Sequence, residues 1–228
     1  MKRTQINGAI REMEQLINDC HFKLPPFCGY TPEEWRGKGH DHDEIRDNHL
    51  GWDITDYGLN DFESMGFSLI TLRNGNPRDE RNGKTYAEKL LMLKEGQRAP
   101  MHFHWHKMED IINRGGGILR IRVYWADEAG SFRQDSVTVS CDGVRKTVPA
   151  GSVLSLGPGE SITIPPGLYH DFSVAGGTGA VLIGEVSMVN DDAHDNRFKD
   201  SLPRFPAIEE DAPPYRLLCT EYPGADHL

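Results

Sequence analysis

Apolar residues recur at three- and four-residue steps from position 4 to position 20, with Ile6, Ile10, Met13, Leu16, Ile17 and Cys20 separated by polar and charged residues. That spacing lays one apolar stripe along a 3.6-residue turn, so an amphipathic helix is predicted over 4–20. The periodicity then stops. Between 22 and 58 the chain carries Pro25-Pro26, Pro32, several glycines and a run of charged residues and histidines. This stretch reads as irregular wrapping, with helix expected only over 31–36. Beyond it, short segments rich in β-branched and aromatic residues take over, at 67–72, 90–93, 118–125, 137–140, 153–156, 161–164, 170–174 and 180–188. Gly, Pro, Asp or Asn bounds each one, which predicts strands. Within 118–125, Leu119, Ile121, Val123 and Trp125 fall on one face and Arg120 and Arg122 on the other, the alternation of a half-buried strand. Eight such segments predict an all-β sandwich or barrel. The prolines at 203, 206, 213, 214 and 223 cannot sit inside a sheet, so the tail is expected to pack as an extended arm.

Composition narrows the reading. The chain of 228 residues suits one domain, divided as a helix and wrapping segment over 1–60, a barrel over 61–200 and an arm over 201–228. No apolar run approaches the ~18 residues of a membrane span. The formal charge of -10, from 35 acidic against 25 basic residues, argues against a nucleic-acid partner. The four cysteines form no C-x-x-C pair and the N-terminus has no apolar leader, so reduced thiols and a cytoplasmic location are expected.

The densest chemistry lies between Gly96 and Gly116. His102 and His104 are two apart, so on a strand both imidazoles leave the same face, roughly 7 Å apart along the chain. They can form one edge of a metal site. Glu109 lies just beyond, where the next strand can return a carboxylate to the same ion. A fourth ligand is suggested by Pro166-Gly167, a tight turn that delivers His170 to the start of a strand. His106 is expected on the face of His102 and His104, at the rim of the pocket. The ligand-rich run from Gly39 to Glu44 is expected to be a solvated turn.

The first segment resembles the first cupin motif, G-x5-H-x-H-x(3,4)-E-x6-G, at every position from Gly96 to Gly116. The segment from Gly159 to His170 resembles the second, G-x5-P-x-G-x2-H-x3-N, with Val174 in place of its final Asn. The resemblance implies an all-β, cupin-type double-stranded β-helix, a jelly-roll barrel with an N-terminal helix and irregular N- and C-terminal arms. It also implies His102, His104, Glu109 and His170 as ligands of one ion, and commonly a homodimer. Further stretches resemble the D-lyxose isomerase family of cupins: residues 51–58, 86–90 and 184–192, and Asp195-Asn196-Arg197-Phe198. That resemblance implies a manganese-dependent aldose–ketose isomerase acting on the sugars D-lyxose and D-mannose, with D-xylulose and D-fructose as products.

Such a reaction needs a Lewis acid at the sugar oxygens and a base that carries a proton between C2 and C1 through an enediol. Glu185, set among Val181, Leu182, Ile183 and Val186, is the leading base, and burial is expected to raise its pKa. Lys89 shares a face with Leu91 and Leu93 and is the candidate cation. Asp191, Asp195 and Arg197 are candidates for the substrate rim, and Asp171 for orienting an imidazole or contacting sugar. The same ligand set suits a cupin dioxygenase, and a sugar-binding cupin without turnover is a third reading. A polar pocket favours the isomerase, an apolar one the oxygenase, and a Glu185 turned away from the ligands the binding protein.

Overall fold

A computed structural model describes residues 1–76, 83–191, 194–200, 202 and 206–225. The helix α1 spans Arg3–Asp19, and two short helices follow, α2 at Pro32–Arg36 and α3 at Asp43–Asp47. The strands are β1 Gly51–Thr55, β2 Phe67–Arg73, β3 Tyr86–Leu93, β4 Arg98–His104, β5 Glu109–Gly116, β6 Leu119–Trp125 and β7 Val137–Cys141. They continue with β8 Val144–Val148, β9 Val153–Leu156, β10 Ser161–Ile164, β11 Leu168–Val174, β12 Val181–Met188 and β13 Asn196–Phe198.

Two antiparallel sheets hold these strands, in the orders β1-β2-β3-β12-β5-β10-β7-β8 and β13-β4-β11-β6-β9. From β3 to β6, and again from β9 to β12, consecutive strands alternate between the sheets. That is the winding of a jelly roll, the cupin-type double-stranded β-helix. Between the sheets lies a core that includes Leu91, Leu93, Ile111, Ile121, Val123, Ile162, Phe172 and Ile183. The alternation read for β6 is realised: Leu119, Ile121 and Val123 are fully buried there, while Arg120 is exposed on the outer face.

A second core covers the outside of the large sheet. Ile6, Ile10, Met13 and Ile17 of α1 pack on Trp52, Ile54, Ile70, Leu90, Met92 and Leu182. Strands β1, β2, β3 and β12 are thus largely buried on both faces and read as continuous runs instead of alternating ones. The irregular arm after Pro206 returns to α1, where the buried Arg3 pairs with Glu210 at 2.6 Å and Glu221 at 2.5 Å. No helix among the described residues is long and apolar enough to cross a membrane.

Several expectations need correction. The wrapping segment contains, besides the expected α2, a turn of 3-10 helix at Pro26–Gly29, another at His40–His42, the helix α3 and the strand β1. Strand β1 escaped the pattern because its five residues, GWDIT, are all buried, the polar Asp53 and Thr55 included. Strand β8 escaped it for the opposite reason: an exposed edge strand, VRKTV, has little apolar signal. The eight expected segments also left out β4, β5 and β13. Strand β5 is held at its far end by Asn113, fully buried, whose Nδ2 donates to the carbonyls of Gly117 and Leu156 and whose Oδ1 accepts from Gly115 N–H, each at 2.9 Å. Replacing Asn113 with Ala strands three backbone groups, and we expect a loss of about 2–4 kcal/mol in urea unfolding. A loss below about 0.5 kcal/mol would mean that water takes over all three.

Candidate active site

The side chains singled out in β4, β5 and β11 meet at one end of the barrel. His102 and His170 are direct partners across the β4–β11 pair, with ring centroids 4.2 Å apart, and His104 lies 5.1 Å from His102. One ring nitrogen from each of the three falls within 4.8 Å of the others, a spacing that can hold a metal ion. Gly167, at φ +76°, makes the turn before β11 and donates its N–H to the carbonyl of His104 at 2.9 Å, tying the two histidine-bearing segments together. Glu109, at the start of β5, places Oε1 3.1 Å from His170 Nε2 and Oε2 3.4 Å from His104 Nε2.

The hydrogen bonds fit a cation. His102 Nδ1 lies 2.8 Å from the carbonyl of Pro100 and His170 Nδ1 3.0 Å from that of Leu168. Each carbonyl can only accept, so each Nδ1 carries a proton, which leaves Nε2 as the ring atom that can face a cation. His170 Nε2 and His104 Nδ1 are buried without a properly oriented hydrogen-bond partner, despite the short approach of Glu109 to the former. Burial, with the neighbouring His170 and His104, holds the His102 imidazole well below its ordinary pKa. Burial also lowers His104, with Lys107 adding to it. The neutral imidazoles of His102 and His104 beside the ionised Glu109 carboxylate are donors of the kind that a divalent cation requires.

Lys107 was missed by sequence reading. Its ammonium is 2.8 Å from Glu109 Oε2 and 2.8 Å from Glu185 Oε1, and Lys89 Nζ is 3.5 Å from the same oxygen of Glu185. Lys89 and Glu185 are register partners on β3 and β12, on the face that points between the sheets. Charge thus alternates along Glu109, Lys107, Glu185 and Lys89, all four buried. This corrects the pKa expected for Glu185. Burial does push it up, but Lys107 and then Lys89 outweigh that and leave it below the ordinary carboxylate range. Burial opposes the charge on Glu109 too, yet Lys107 and the histidines hold its pKa well below normal. The sequence signal for Lys107 was a lysine that closes the charge balance between His104 and Glu109, visible only once Glu185 is known to face it.

These groups form one wall of a cavity enclosing about 490 Å³, open mouth included, whose other walls carry Tyr57, Phe67, Phe172, Asn196 and Phe198. Other candidates lie outside it. His106 is exposed, because β4 ends at His104 and the chain turns there. Asp171 follows His170 on β11 and so faces the outer side of the sheet, beside Arg98 and Arg122. The imidazole of His170 is oriented by a backbone carbonyl instead. Arg197 is exposed and lies near Gly130, while its neighbours Asn196 and Phe198 reach the cavity. Asp191 pairs with His194 at 2.8 Å on the surface. Asp195 is buried and accepts the N–H groups of His106 and Lys107. In the Gly39–Glu44 run, His40 pairs with Asp43 and His42 with Asp41.

A jelly roll with three convergent imidazoles and a buried acid–base chain on its inner face defines the class: a cupin-type barrel with a candidate metal centre. A family model described as D-lyxose isomerase matches residues 1–222, so the chain belongs to the D-lyxose isomerase family of sugar isomerases. The D-lyxose/D-mannose isomerase of Escherichia coli O157:H7 is 46% identical over 97% of this chain and 98% of its own length. Its counterpart from Serratia proteamaculans is 47% identical over the same shares. Among solved structures, the L-ribose isomerase of Cellulomonas parahominis with L-ribose superposes with a TM-score of 0.60 at 14% identity, covering 92% of this chain and 98% of that one. That likeness is one of fold.

The buried ionisable groups set a pH dependence. In protein stripped of metal, His102 and His104 lie below their ordinary 6.5, so the unfolded chain binds protons first and stability falls as pH drops below about 6.5. Glu109 and Glu185 lie below their ordinary 4.5, so a second loss begins near 4.5 and continues through their lower folded values. Urea midpoints of chelator-treated protein measured from about pH 7.5 to 3.5 check this. A midpoint that does not fall anywhere in that range would contradict it.

Proposed function

We propose that the protein is a manganese-dependent aldose–ketose isomerase that interconverts D-lyxose with D-xylulose, and D-mannose with D-fructose, by proton transfer through an enediol. One observation carries the reading: His102, His104 and Glu109 of the three-imidazole, one-carboxylate cluster line the same cavity as a second carboxylate, Glu185, joined to Glu109 through Lys107. The names of relatives nearly half identical over almost the full chain support the sugars.

His102, His104, Glu109 and His170 would hold the ion, which when bound supplies Lewis-acid polarisation of the sugar carbonyl. The chain's own groups do the rest. Glu185, held ionised by Lys107 and Lys89, is in the proton-accepting form at neutral pH and takes the proton from C2, then returns it to C1, while the hydroxyl proton of O2 passes to O1. Lys89, with Lys107 beside it on the cavity wall, supplies the positive charge that stabilises the oxygen gaining negative charge as the enediol forms. Tyr57, Phe67, Phe172 and Phe198 offer faces on which the C–H side of a sugar packs and help to exclude water. The cavity lining is mixed, with a charged wall facing Tyr57, Phe67, Leu69, Leu91, Phe172 and Phe198, so it is the inward Glu185, a base that neither oxygenation nor binding alone requires, that favours the isomerase. A homodimer belongs to the same reading, supported by the exposed apolar side chains Tyr86, Met108, Val186 and Met188.

Manganese-loaded protein is expected to form ketose from D-lyxose and from D-mannose, to lose activity on chelation and to regain it with Mn2+. No ketose with any divalent metal would overturn the proposal. Glu185→Gln is expected to lower kcat by about 10²–10⁴-fold while bound metal, measured directly, stays constant. In D2O the ketose should carry deuterium at C1; product free of deuterium, with a shielded proton excluded, would point to a hydride shift.

A further inference from the structure

Three successive backbone N–H groups in the link between β4 and β5 end on one residue. Trp105 N–H donates to the Asp195 carbonyl at 3.1 Å, His106 N–H to Asp195 Oδ1 at 2.8 Å and Lys107 N–H to Asp195 Oδ2 at 3.0 Å. Asp195 is only 8% exposed, and the next residue, Asn196, pairs in register with His104. The link over 105–108 spans His104 and Glu109, and of its side chains only that of Lys107 is buried.

The inward turn of Lys107 is demanding. Its Nζ must sit 2.8 Å from two carboxylates on different strands, and it also lies 3.3 Å from Asn190 Oδ1. A short link outside the β-ladder does not fix a long side chain so closely unless its backbone is tethered. Met188 N–H holds the Met108 carbonyl at 3.0 Å, and Asp195 tethers the three residues before Met108, Lys107 included, with both carboxylate oxygens used. An amide in its place would set an NH2 against one of the N–H groups. The segment after β12 therefore grips Lys107 from both ends, with Asn190 at the ammonium and Asp195 at the backbone.

We propose that Asp195 is a positioning residue for the isomerisation: it holds the 105–108 link so that the Lys107 ammonium stays between Glu109 and Glu185. The proposal rests on the isomerase reading above.

Asp195→Asn tests it in the full-length protein. Amide hydrogen exchange of wild type and variant, which requires no turnover, should show protection at His106 and Lys107 falling at least about tenfold; unchanged protection would overturn the tether. With D-lyxose, kcat should fall about 10–100-fold while KM and bound manganese stay within about twofold. If lost metal or lost folded protein accounts for the fall, the role is structural and the proposal fails. In a Lys107→Met background, D195N should lower kcat no further, whereas additive losses would show that Asp195 does not act through Lys107. If K107M does not fold, Lys107→Gln replaces it. Wild type without ketose formation would defeat the isomerase reading itself; an active wild type with an unaffected variant would defeat only this inference.

Discussion

Charge buried in a barrel must be neutralised where it lies, and that constraint organises this protein. Glu109, Lys107, Glu185 and Lys89 are all nearly inaccessible, and each stands beside opposite charge. Removing one member would leave a neighbour buried and unpaired, which costs far more than the pair itself contributes. The arrangement also links two functions. Lys107 touches the carboxylate that completes the imidazole cluster and the carboxylate placed to move a proton, so one ammonium balances the charge of both.

The jelly roll makes this arrangement possible from residues far apart in the chain. Strands β4 and β11 of one sheet carry the histidines, while β5, β12 and β3 of the other carry Glu109, Glu185 and Lys89. A large sheet can hold charged residues on its inner face because the outer face is secured elsewhere, by the apolar stripe of α1 and by the C-terminal arm. Arg3 ties those two coverings together through Glu210 and Glu221. The scaffold is thus stabilised at a distance from the chemistry, which leaves the cavity end of the barrel free to carry polar groups.

Fold alone does not choose a substrate. A barrel of the same shape at 14% identity belongs to an L-ribose isomerase, so the discrimination must come from side chains at the cavity. Here the charged wall faces an aromatic one, and Asn196 and Phe198 enter from β13, a short edge strand paired with β4. The segment that follows Glu185 in sequence therefore builds another wall of the same cavity and holds Lys107 as it passes.

Much of this was legible in the chain alone. The spacing from Ile6 to Cys20 determined the helix, the alternation from Leu119 to Trp125 determined a half-buried strand, and the H-x-H pair with its glycines pointed to one cluster of side chains. Local periodicity encodes such features because each depends on residues within a few positions of one another. It could not reveal β1, whose buried faces abolish alternation, nor that Arg197 faces outward while Glu185 faces in. Nor could it give the sign of the Glu185 shift. A lysine 78 positions away in sequence lies 2.8 Å from that carboxylate, and only the pairing of β12 with β5, with the link before β5 turned into the barrel, brings the two charges together.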